Sequence, residues 1–145
     1  MSSEAVRFHF TVDGEDFTSA GQASVQVKMN LRSLGISPEI IRKVSIAMYE
    51  GEINMVIHAD GGSADVIVSA ESIEIILSDK GPGIADIELA MKEGFSTAPD
   101  NIRSLGFGAG MGLPNMKKNS DTMLIDSTPG VGTRIVMKVM YKGAV

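Results

Sequence analysis

Val6, Phe8, Phe10 and Val12 alternate with polar residues, a period of two that predicts an amphipathic strand ending at the turn Asp13-Gly14. Over residues 20–34 two periods compete. Val25, Val27, Met29 and Leu31 alternate as in a strand, whereas Ala23, Val27, Leu31 and Leu34 share one helical face with Gly35 placed to cap it, and the segment is read as helix. Ser37-Pro38 then marks a helix start, an N-cap followed by proline where its missing N–H costs nothing. Ile40, Ile41, Val44, Ala47 and Met48 supply the buried stripe of a helix that runs to about His58. The turn Asp60-Gly61-Gly62-Ser63 leads into two β-rich runs, residues 65–69 and 72–78, read as a hairpin. Residues 85–91 have a helical pattern. Residues 93–105 lose all periodicity and carry Gly, Pro, Asn, Asp and Ser, which reads as a loop of lid length. Residues 113–118 begin another helix, and 121–127 and 133–141 are closing strands around Pro129-Gly130-Val131-Gly132. The sum is a two-layer α/β sandwich, with helices on one face of a mixed β-sheet.

Composition narrows this picture. A chain of 145 residues with 43% hydrophobic content can bury one ordinary core and not two, so residues 1–145 are read as a single domain. The net charge of -5 and the absence of any basic cluster larger than Lys117-Lys118 argue against a nucleic-acid partner. No apolar run approaches the roughly 18 residues of a membrane span, and Met1-Ser2-Ser3-Glu4-Ala5 lacks the basic and apolar regions of a signal peptide. No membrane association and a cytoplasmic location are therefore expected. Without cysteine there are no disulfides and no thiolate metal sites. The 10 methionines read as core filling.

The chemistry lies in three places. Glu50, Asn54 and His58 recur every four residues, so a carboxylate, an amide and an imidazole project from one side of the predicted helix. An amide oxygen is a hard ligand suited to Mg²⁺, and a carboxylate one turn away can take a proton. Gly51 inside that helix costs roughly 1 kcal/mol against alanine, which hints at a close backbone approach. Next, Asp79-Lys80-Gly81-Pro82-Gly83-Ile84 closes an apolar strand. Alone it is most often a tight turn, but Asp79 can accept from an exocyclic amine such as that of adenine, and Gly81 and Gly83 let backbone pass close to a ring. A second glycine cluster, Gly106-Phe107-Gly108-Ala109-Gly110-Met111-Gly112-Leu113, precedes a helix whose free N–H groups can cradle phosphates. It lacks the Gly-Lys-Ser/Thr ending of a Walker loop and the downstream acid of a dinucleotide fingerprint. Thr133, after Gly130 and Gly132, is placed to hydrogen-bond near the Asp79 carboxylate.

These residues resemble a known family. The run from Glu50 to His58 resembles the N box of the Bergerat-type ATPases, Asp79 to Ile84 the first glycine box, Gly108 to Leu113 the second, and Gly130-Val131-Gly132-Thr133 the closing glycine-threonine turn. Within that superfamily, which includes gyrase and histidine kinases, residues 84–90 and Phe95-Ser96-Thr97 look most like the anti-sigma-factor serine/threonine kinases of bacteria. The resemblance implies a left-handed βαβ nucleotide site, ATP with Mg²⁺ as cofactors, and phosphorylation of a serine or threonine on a STAS-domain antagonist or scaffold protein. It implies Asn54 as the Mg²⁺ ligand, Glu50 as general base, and Asp79 as the partner of adenine N6. Gly81, Gly83, Gly108, Gly110, Gly112, Leu113 and Thr133 would shape the nucleotide pocket. An arginine before the second glycine box is implied to reach the γ-phosphate, and Arg103 is the candidate, several residues further from Gly110 than the pattern has it. The ending Leu113-Pro114 resembles the switch-kinase branch, whose members do not themselves hold a sigma factor.

Two other functions compete: an ATP-regulated module that binds a sigma factor or STAS partner with little or no kinase activity, and a detached histidine kinase catalytic domain. A homodimer is compatible with each. Glu52, about 200° around an ideal helix from Glu50, is expected to be dispensable.

Overall fold

The computed structural model describes residues 5–14, 20–59, 61–84, 86–92 and 112–141. The first strand, β1, is Val6–Asp13, and two helices follow, α1 over Gln22–Ser33 and α2 over Pro38–His58. The α2 helix starts as its sequence dictates: Pro38 stands first, and the Ile40 N–H donates to Ser37 Oγ at 3.4 Å. The helical reading of α1 is borne out, because Val27 and Leu31 sit on the buried face while Val25 and Met29 stay exposed.

The α1 helix has no cap of its own. Gly21 occupies its N-cap position and offers no side chain. Glu52, from the middle of α2 and only 3% exposed, caps it instead. Its Oε2 accepts the N–H groups of Gly21 at 2.9 Å and Ala23 at 3.2 Å, and its Oε1 that of Ser24 at 3.1 Å. A buried carboxylate must find donors, and the first turn of a helix has donors to spare and a dipole that favours negative charge.

Strands β2 (Gly61–Val68) and β3 (Ser72–Asp79) form the expected hairpin, but β2 begins earlier than its sequence suggests. Gly61, Gly62 and Ser63, expected as a turn, pair with Asp13, Val12 and Thr11 of β1. The backbone bonds that β1 offers outweigh the turn preference of two glycines. The short helix α3 (Ile87–Ala90), capped by Asp86 Oδ1 accepting from the Leu89 N–H, covers only part of the expected 85–91. Helix α4 (Gly112–Lys118) leads to β4 (Thr122–Thr128) and β5 (Gly132–Met140).

The sheet order is β1-β2-β3-β5-β4. The two-layer arrangement holds, and the pairings among these strands are all antiparallel, which for β2–β3 and β4–β5 follows from their short turns. Ala64, Val66 and Val68, Ile73, Ile75 and Leu77, and Ile135, Met137 and Val139 point to one face and meet Val44, Ala47, Met48 and Met55 of α2. Met48, Met55, Met116 and Met137 fill the core as expected, while Met29 does not. The α2 helix runs so close to β3 that a Cβ on Gly51 would overlap the Leu77 side chain. The mid-helix glycine thus makes room for the Leu77 side chain.

Candidate functional site

Two groups of polar side chains form at the ends of these elements. The first lies between α2 and α4. A Cβ on Gly112 would stand 3.8 Å from Asn54 Oδ1 and 4.0 Å from Glu50 Oε1, so the two side chains one turn apart on α2 converge on the start of α4. Asn115 Nδ2 donates to the other Glu50 oxygen, Oε2, at 2.9 Å. Leu113 and Met116 are buried on the core side of α4, which fixes the direction in which Asn115 points. Leu113 itself packs into the core.

The second group runs across three strands. The register sets Asp79 opposite Thr133, and Thr133 opposite Ser127. Asp79 Oδ1 accepts the N–H of Gly81 at 2.9 Å and of Thr133 at 3.2 Å. Thr133 thus reaches the Asp79 carboxylate as its position suggested, but through its backbone. Its Oγ1 pairs with Ser127 Oγ at 2.8 Å, and Ser127 Oγ accepts the Ile84 N–H at 2.7 Å. Among the described residues no hydrogen-bond donor reaches Asp79 Oδ2. Gly83 adopts φ 78°, and the Gly130 N–H donates to the Pro82 carbonyl at 2.7 Å, so the first glycine turn is tied to the turn between β4 and β5. A Cβ on Gly81 would come within 2.6 Å of Ala59, leaving backbone alone beside the carboxylate.

A hollow of about 1080 Å³ opens beside this second group, lined in part by His58, Ser63, Ser78, Asp79, Lys80 and Gly81, and not by Glu50 or Asn54. His58 thus lines this hollow. Burial pushes its pKa below the ordinary value of 6.5. Gly108, Gly110, Arg103 and the expected lid of 93–105 lie outside the described residues.

Sequence reasoning missed Asn115, Ser127 and the role of Glu52. Asn115 is a single amide in a short helix, and Ser127 a single serine at a strand end; only the register, which puts Ser127 across from Thr133, could have pointed to the latter.

Chemically, the site offers a lone carboxylate oxygen at the end of β3 and, across α2, an amide oxygen beside a carboxylate oxygen. Among the described residues no three His, Cys, Asp or Glu side chains gather as a metal cluster. A single amide oxygen suits a small hard cation that arrives with oxygen ligands of its own.

Residues 41–142 match the family described as histidine kinase-, DNA gyrase B-, and HSP90-like ATPase. The anti-sigma F factor of Clostridium novyi (strain NT) is 35% identical over 126 residues, which cover 83% of this chain and 85% of that protein. The serine/threonine-protein kinase RsbT of Bacillus subtilis (strain 168) is 34% identical over 97 residues, 67% of this chain and 62% of that one. The crystal structure of the RsbU and RsbW domains of Rv1364c from Mycobacterium tuberculosis aligns with a TM-score of 0.64 at 15% identity, over 92% of this chain and 32% of that chain. That last likeness shows a shared fold alone.

Proposed function

The chain belongs to the histidine kinase-, DNA gyrase B-, and HSP90-like ATPase family, and from that premise we propose that it is a serine/threonine protein kinase of a partner-switching module, acting on a STAS-domain protein. The observation that carries this reading is the convergence of Glu50 and Asn54 on Gly112, with a carboxylate oxygen and an amide oxygen both near the start of a helix.

The residues present fit Mg²⁺-ATP. Asp79 Oδ2, free of described donors, would accept from the exocyclic amine of adenine, and Gly81 and Gly83 would leave room for the ring. Asn54 Oδ1 would supply one ligand to Mg²⁺. When bound, the nucleotide supplies the γ-phosphoryl group, whose bond to ADP breaks as a bond to the acceptor oxygen forms. Glu50 takes the proton that the serine or threonine hydroxyl gives up.

The test is incubation with γ-labelled ATP, Mg²⁺ and a candidate STAS protein. Label on a serine or threonine of that protein is expected. A protein that binds Mg²⁺-ATP yet labels no STAS candidate would defeat the kinase reading.

The names of the relatives favour a second reading, in which the chain binds a sigma factor and ATP sets the affinity. Nucleotide-dependent capture of a purified sigma factor without phosphoryl transfer would support it. Among the described residues no helix is long and apolar enough to cross a membrane.

A further inference from the structure

We infer that Asn115 is the positioning residue of Glu50: its amide holds one carboxylate oxygen so that the other faces the acceptor hydroxyl. This rests on the reading of Glu50 as general base. Asn115 Nδ2 donates to Glu50 Oε2 at 2.9 Å, while Oε1 turns to Gly112, beside Asn54 Oδ1. One oxygen is thereby held and the other presented. A glutamate side chain has three rotatable torsions, and a base that wanders among rotamers meets the hydroxyl in a productive pose only part of the time. Only a donor can fix a carboxylate oxygen, since an ionised carboxylate accepts and never donates.

Asn115 is itself held firmly enough to serve. Leu113 and Met116 on either side of it are buried in the core. Its backbone carbonyl accepts from both the N–H of Asn119 at 3.2 Å and Asn119 Nδ2 at 2.9 Å, which secures the last turn of α4. The contact joins residues 65 apart in the chain. It therefore makes the pose of the base depend on the seating of α4, the helix that follows the second glycine cluster.

The test uses Asn115→Leu, near in size but without the donor, and Asn115→Asp, which keeps the shape but sets a carboxylate against Glu50. Both should lower kcat for transfer to a STAS protein by about 10- to 100-fold, as expected of a base displaced by an ångström or so, with KM for ATP unchanged within about twofold. In a Glu50→Ala background neither should cause any further loss. Independently of any partner, the side-chain amide resonance of Asn115, identified by its absence in Asn115→Leu, should shift on Glu50→Ala. If folded Asn115→Leu and Asn115→Asp keep the parent kcat, or if that resonance ignores Glu50→Ala, the inference is wrong. If the parent protein moves no phosphate, it is the kinase reading that fails, and the amide resonance alone then decides whether Asn115 holds Glu50.

Discussion

The carboxylate of Glu52 accepts the backbone N–H of Gly21 at 2.9 Å, so a residue in the middle of α2 closes the start of α1, 31 residues earlier. Helical geometry places Glu52 away from Glu50, and it does lie there. What that geometry does not reveal is that the far side of α2 faces the N-terminus of α1 rather than water.

The expectation that Glu52 is dispensable therefore reverses for stability. Glu52→Ala leaves the N–H groups of Gly21, Ala23 and Ser24 without their acceptor. It should cost about 2–3 kcal/mol, between the loss of a strong cap and that of a charge-assisted bond. Glu52→Gln, which keeps one acceptor oxygen, should cost less. Urea denaturation with an unchanged m-value is the measurement, and an unaltered midpoint in Glu52→Ala would refute the capping role.

Asp79→Asn tests the ligand end of the strand row. The asparagine oxygen can keep the N–H groups of Gly81 and Thr133, which leaves its NH₂ where Oδ2 stood, donor facing donor. Folding should survive while ATP affinity falls by about 1.5–3 kcal/mol, the worth of a hydrogen bond to a charged group. Calorimetric titration reads this directly, and unchanged affinity would remove Asp79 from the adenine site.

Glu50 and Asn54 share a stripe but should separate in their effects. Glu50→Ala should keep nucleotide binding and lose phosphoryl transfer by about 10²- to 10⁴-fold, as expected for a missing general base. Asn54→Ala should instead weaken the binding of Mg²⁺-ATP itself. Titration of both variants beside a transfer assay would show the split, and identical phenotypes would contradict it.

His58 predicts a pH dependence. Its pKa is lowered in the fold by burial, so as pH falls through the unfolded value of 6.5 the unfolded chain takes up a proton that the native state resists. Stability is lost between 6.5 and the lower native value and recovers nothing below it. His58→Gln should therefore lose less stability than the parent between pH 7.5 and pH 5. Equal losses, read from urea midpoints at the two pH values, would sink the argument.

Local signals account for much of this molecule. Ser37-Pro38 and an apolar stripe at helical spacing were enough to place α2 from end to end, and the alternation over 6–12 was enough to place β1. The start of β2 was illegible because Gly61 and Gly62 look like turn residues until β1 is there to pair with them. Within the site, Glu50, Asn54 and Asp79 stood out because their chemistry recurs at helical spacing or closes a strand. Asn115 and Glu52 did not, since each acts on a segment far away in the chain.

The bare backbone at Gly51 acts as a spacer of minimum thickness. With nothing but hydrogen at position 51, the Leu77 side chain fills the space a Cβ would take beneath the helix bearing Glu50 and Asn54, and Asp79 ends that same strand two residues beyond Leu77. A side chain at 51 would have to push the Leu77 side chain aside, so the notch left by one missing carbon is where the helix and the strand that carry the two polar groups meet.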